Sequence, residues 1–175
     1  MKAWVTGAVA AAIATAVFTT GTPAQESTNR VATRTDWSVF TETNPRECWG
    51  VSAPKESVNT RDGRPVQVRR GDIFLFVTFR PGTGAAGEIS FTGGYPFAPN
   101  STVSVQIGSE RFELFTEGEW AWPRDAEADA ALLAAMKRGT EAVVTGRSAR
   151  GTQTKDTFSL LGFTAAMTEA ENRCK

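Results

Sequence analysis

The sequence predicts a mainly β protein, an antiparallel β-sandwich or partly open barrel with one internal helix and a C-terminal helix. Three observations carry that prediction. From Asp36 onward the chain falls into short segments of alternating apolar residues, bounded by glycine, proline, asparagine or aspartate. One window, "WPRDAEADAALLAAMKRG", instead carries the start, stripe and stop of a helix. The closing "GFTAAMTEAENRCK" places Phe163, Ala166, Met167, Ala170 and Cys174 on one helical face.

At the N-terminus, Lys2 precedes the apolar run "AWVTGAVAAAIATAVF", and Thr22 and Ala24 are small residues suited to a cut before Gln25. Residues 1–24 therefore read as a signal peptide. The run is short for a membrane span and no second one of spanning length follows, so no transmembrane segment is expected after cleavage. No cysteine lies near the cut to carry a lipid. Residues 25–35, "QESTNRVATRT", are polar and aperiodic and read as a flexible leader. Residues 36–175 form a single domain, long enough for a real core.

Within that domain "DWSVF" and "CWGVS" are strand candidates. "SVNTRDGRPVQVRR" holds an Asp-Gly turn signal among four arginines and reads as a hairpin or loop. "DIFLFVTF" is apolar on both faces and belongs in the middle of a sheet. "PGTGAAG" is a loop, "EISFT" a strand and "GGYPFAPN" a turn-rich connection. "TVSVQIGSERFELF" is a hairpin turning at Gly108-Ser109, with Val103, Val105 and Ile107 on one side. In the internal helix Asp125 is the N-cap, Glu127 and Asp129 sit near the positive end of the dipole, and Gly139 is the stop. "EAVVTG" and "TKDTFSLL" complete about eight or nine strands.

Composition narrows the chemistry. With 41% apolar and 22% charged residues and no net charge, the chain has no field for nucleic acid or an anionic membrane. Histidine is absent, which removes the usual proton carrier near neutral pH and the commonest zinc ligand. No catalytic residue, cofactor or metal site is expected. Cys48 and Cys174 are the only cysteines, and in an exported protein a disulfide between them is the default.

Several motifs tempt a sharper reading. Gly146 to Thr152 has the glycine spacing of a phosphate-binding loop, but Thr152 stands where that loop needs lysine. The following "TQTKDTFSL" alternates like a strand where a helix is required, so Arg147–Gly151 reads as a hairpin tip and no nucleotide is expected. Across this tip Arg150 and Asp156 are expected to pair and fix the register. Glu113, Glu117 and Glu119 offer carboxylates for a hydrolase, but on hairpin positions acidic residues usually solubilise. The Arg-Gly-Asp triplet, Arg70–Asp72, directly precedes an apolar strand, so Gly71 reads as a turn glycine rather than an adhesion loop. Tyr95, Phe97, Trp120 and Trp122 either form a recognition patch or cap one end of the core, the commoner fate.

"ISFTGGYPF", "VQIGSERFELF", "EWAW", "AMKRG" and "VVTGRSARGTQTKDTFSLLGFTAA" resemble the invasion-associated locus B family of exported bacterial proteins. The likeness runs from about Trp37 to Cys174, and its most specific part is Gly146, Ser148, Arg150, Gly151, Thr152, Thr154, Asp156, Thr157, Phe158, Ser159, Leu160, Gly162 and Phe163. It implies a Gram-negative envelope protein, periplasmic or outer-membrane-associated or secreted, in a family named for members linked to invasion of host cells. It brings no catalytic residue and no cofactor. The expected function is therefore non-enzymatic binding of an envelope or host-surface component. Arg150, Gly151, Thr152, Asp156, Tyr95, Trp120 and Trp122 are its candidate binding or structural motif. A carboxylate-based envelope hydrolase and a structural or stress-related periplasmic protein stay open as alternatives. If the signal reading holds, mass spectrometry of the exported protein will find a chain beginning at or near Gln25; intact Met1 in the membrane fraction would refute it.

Overall fold

In the computed structural model, which describes residues 29–175, twelve strands form one antiparallel sheet. The expected signal peptide lies outside the described residues. In chain order the strands are β1 (Arg30–Arg34), β2 (Trp37–Thr43), β3 (Arg46–Ser52), β4 (Glu56–Arg61), β5 (Arg64–Pro65) and β6 (Phe74–Arg80). They continue as β7 (Ala85–Thr92), β8 (Thr102–Ile107), β9 (Glu110–Glu117), β10 (Trp120–Trp122), β11 (Glu141–Arg147) and β12 (Gln153–Ser159). The helices are α1 (Ala126–Arg138) and α2 (Phe163–Arg173). Across the sheet the order is β1-β2-β3-β6-β7-β10-β9-β8-β11-β12-β4-β5.

That order imposes a geometric constraint. β3 and β4 stand third and eleventh, eight places apart, yet only Ala53, Pro54 and Lys55 join them. In a flat sheet eight steps of about 4.8 Å would span about 38 Å. The joining chain, fully extended, reaches about 14 Å. The sheet must therefore roll until its far end comes back beside β3. Phe91 of β7 and Phe158 of β12 meet edge to face across the interior, with ring centroids 6.1 Å apart. Trp37 of β2 donates its indole N–H to the Ser159 carbonyl at 3.0 Å. Among the described residues β1 and β5 remain as edges, so the barrel is partly open.

The two helices close the interior. α2 lies on β2 and β3, with Phe163 against Trp37 at 4.8 Å. Gly50 makes room for Met167: a Cβ at that position would sit 2.1 Å from the Met167 terminal methyl. The same helix is then tied down covalently, Cys174 to Cys48 of β3, with Cα atoms 5.8 Å apart. α1 starts where its cap is placed, the Asp125 carboxylate accepting from the Ala128 N–H at 2.9 Å. It lies against β7, where Asp129 accepts from the Ile89 N–H at 2.8 Å. β10 pairs only with Phe91 and Thr92 of β7, so this carboxylate takes over beyond the end of the short strand. Among the described residues no helix is long and apolar enough to cross a membrane.

The described part of the expected leader, from residue 29 on, departs from expectation. Arg30–Arg34 forms β1, with Thr33 opposite Ser38 and Arg34 opposite Trp37. An edge strand with one solvent face needs little apolar sequence, and here only Ala32 packs on the core. Its arginines blunt the exposed edge. The other strands beyond the expected eight or nine include the very short β5 and β10, which carry no period to read.

Replacing Cys48 or Cys174 by alanine is expected to cost about 2–5 kcal/mol in denaturant melts, the usual range for a native bridge in a small secreted domain. The oxidised, denatured protein should show no thiol to a labelling reagent, and reactive thiols there would refute the bond.

Candidate functional site

The alternation of β12 turns Thr154, Asp156 and Phe158 inward, so a carboxylate points into the protein beside a phenylalanine. Asp156 has no exposure to water. The guanidinium of Arg70, itself only 7% exposed, meets it with two parallel bonds, Nη1 to Oδ1 at 2.8 Å and Nη2 to Oδ2 at 2.6 Å. Ser57 of β4 adds a third donor, its hydroxyl 2.6 Å from Oδ1. Two more guanidinium donors are used, making four of the five: Nε gives to the Gly93 carbonyl at 2.9 Å, and Nη1 also to the Asn59 side-chain oxygen at 3.3 Å. Tyr95 lies over the guanidinium at 5.1 Å, and its hydroxyl bonds Thr154 at 2.6 Å. Burial pushes the Tyr95 phenol above its ordinary pKa, opposed by the Thr154 bond and the Arg70 charge. A buried pair is tolerable when further hydrogen bonds support it, and here every buried side-chain nitrogen and oxygen among the described residues has at least one partner.

Local sequence builds this centre. Asp62 and Gly63, both at positive φ, turn β4 into β5. The chain then returns as an extended strap, residues 66–73, that carries Arg70 from the sheet edge to β6. Gly71 donates its N–H to the Gly94 carbonyl at 2.8 Å. A Cβ on Gly94, whose φ is +70°, would lie 2.5 Å from the Gly71 carbonyl oxygen. Only glycine lets the "GGYPF" loop press so close to the strap and bring Tyr95 over Arg70.

Outside the pair the same segments wall a cleft of about 480 Å³. Arg61, Arg69 and Arg150 line it, from β4, the strap and the β11–β12 turn. Arg61 is held by the Thr152 hydroxyl at 2.9 Å. The turn itself is pinned by the Thr152 N–H, which donates to the Ser148 hydroxyl at 3.1 Å. Among the described residues none of these three guanidiniums has a carboxylate within 4.0 Å, whereas Arg70 does. Glu119 is the only carboxylate on the wall.

The family described as Invasion associated locus B (IalB) protein matches residues 37–171. The chain belongs to the IalB family. A crystal structure of invasion associated protein b from Bartonella henselae is similar in fold, with a TM-score of 0.54 at 15% identity, covering 79% of this chain and 94% of that one. Among curated proteins no sequence matches.

In this IalB-family chain the tract from Gly146 to Asp156 does bring several candidates together, though not as expected. Thr152 and Asp156 are buried, Gly151 takes a positive φ of 81° in the turn, and Tyr95 joins them from its loop. Arg150, however, is exposed at the tip and does not meet Asp156; the carboxylate's partner is Arg70. The register explains the miss. Asp156 stands opposite Val144 and Ser57, well down the ladder from the tip. The arginine of the Arg-Gly-Asp triplet is thus engaged inside the protein. β12 follows the glycine-bracketed loop where a phosphate loop would need a helix.

The tryptophans also fall elsewhere. Ala121 is the buried residue of β10, while Trp120, 40% exposed, and Trp122 face outward against Phe76 and Phe115. Neither caps the core and neither lines the arginine cleft. Arg70 is marked in the sequence only as the first residue of the Arg-Gly-Asp triplet, and neither it nor Ser57, Asn59, Arg61 or Arg69 is assigned there to this site. The only signal for them is the arginine-rich run around Asp62-Gly63, which does not say which arginine turns inward.

Asp156→Ala should destabilise by about 3–5 kcal/mol, because it strands the Arg70 charge. Arg70→Ala should do the same, and the double variant should lose far less than the sum. Arg150→Ala should change stability by no more than about 0.5 kcal/mol and add independently to Asp156→Ala. Urea melts of these variants check the assignment; coupling to Arg150 instead of Arg70 would reverse it.

Proposed function

We propose that this IalB-family chain is an exported, non-enzymatic envelope protein that acts by binding an envelope or host-surface component, with the arginine cleft as its contact site. The observation that carries this reading is a division of labour among the polar groups. The buried Asp156 and Arg70, with the Ser57 hydroxyl from the exposed strand β4, are the set that would suit chemistry, and they are spent on one another. A general base needs a free lone pair within reach of a substrate proton, and Asp156, with no exposure to water, presents none to a substrate. The guanidiniums at the rim are exposed and have no carboxylate partner among the described residues, which suits recognition. The carboxylates offered for hydrolysis lie on exposed positions of β9 and its turn, and Glu113 is already held by Arg111 and Thr102. The disulfide supports an oxidising compartment, the periplasm or beyond.

The test compares baits. The wild-type protein and an Arg69→Glu/Arg150→Glu variant, both folded by circular dichroism, are cross-linked in envelope extract. A component recovered by the wild type and lost from the variant is the expected outcome. Equal recovery by both would remove the cleft from the function.

A further inference from the structure

We propose that the cleft takes a compact polyanion carrying two or more phosphate groups; this rests on the binding reading above and names its ligand class. Charge is the first argument. The whole chain is electrically balanced, with 19 basic and 19 acidic residues, so a local cationic excess is not a by-product of overall basicity. Yet Arg61, Arg69 and Arg150 converge on one cavity with only Glu119 against them. Arg70 adds no net charge there, since Asp156 neutralises it.

The form of the charge is the second argument. A guanidinium is a planar fork that binds oxyanions through parallel N–H bonds, and phosphate offers three acceptor oxygens with about −1.5 to −2 charge. The three forks come from three segments, so one carboxylate would satisfy one fork and leave the others unmatched. Two or more phosphates on a small carrier would engage them all.

Size and order supply the third argument. About 480 Å³ falls within the roughly 300–1,000 Å³ of small-molecule sites. Arg61 is already held by Thr152, and the backbone of the turn bearing Arg150 is pinned through Ser148, so part of the ordering that binding requires is already in place. The Tyr95 ring is engaged by Arg70, which leaves no obvious stacking surface for a nucleobase. ATP should therefore bind no more tightly than inorganic tripolyphosphate.

The phosphates could sit on a soluble carrier or on a lipid headgroup, and two arms separate these. Calorimetry with tripolyphosphate at low salt should give saturable binding with a Kd below about 100 μM. Arg69→Glu and Arg150→Glu should each weaken it by about tenfold or more, and Glu119→Gln should tighten it, a direction that misfolding does not produce. Arg111→Glu, which removes the same charge from exposed β9, should leave it unchanged. In the second arm, co-sedimentation with phosphatidylcholine vesicles containing cardiolipin, whose headgroup carries two phosphates, lost in Arg69→Glu, assigns the phosphates to a lipid headgroup. Binding of tripolyphosphate without vesicle binding assigns them to a soluble ligand, and either result supports the proposal. Absence of saturable heat, or equal weakening by Arg111→Glu, overturns it. If tripolyphosphate fails while the cross-linked component still depends on Arg69 and Arg150, the binding reading stands and only the ligand class falls.

Discussion

A carboxylate shut away from water has to be matched where it sits, and Asp156 is matched by Arg70 from a segment 86 residues away and by Ser57 from one 99 residues away. The pair need not be the most stabilising filling for that space, since well-packed apolar groups often do as well. Its value is in what it forbids. β12 has a side-chain period of two, so a slip of one residue against β4 or β11 would carry Asp156 to the surface. Lys155 or Thr157 would then face the Arg70 guanidinium, and the former would place two cations together in the interior. The ion pair therefore selects one register for the strand that closes the roll.

The roll itself comes from topology. A three-residue connection between the third and eleventh strands cannot cross a flat sheet, so the far end of the ladder returns to β3. The strap then carries the chain back to the middle, and Arg70 anchors it on the way. α2 and its disulfide hold the near side, where Cys174 meets β3. The arginine cleft lies where strap, β4 end, "GGYPF" loop and hairpin tip converge, so its walls are only as rigid as the pair beneath them. The proposed contact site thus rests on the structural pair, and the tract from Ser148 to Asp156 contributes to both.

Local signals were readable. The Asp62-Gly63 and Gly108-Ser109 turns, the Asp125 cap and the C-terminal helical face each rest on residues within a few positions of one another, and the elements formed accordingly. The inward turn of Asp156 was legible too, because it shares parity with Phe158. Its partner was not. A buried arginine among several in one polar run has no local mark, and the nearest candidate, Arg150, stands at the tip rather than opposite. Size misled at β10, where the small Ala121 faces the core and the large tryptophans face out. Polarity misled at Arg30–Arg34, because an edge strand with one packed residue looks like a leader.

The claim on which the rest hangs is that Arg70 is buried and locked onto Asp156 in the native state. Hydrogen exchange of the arginine side-chain N–H groups, followed by NMR, reads this directly. The account predicts that the Arg70 Nε–H and Nη–H protons exchange as slowly as amides of the core strands, while those of Arg150 exchange with bulk water at once. Arg70 protons exchanging as fast as those of Arg150 would contradict it.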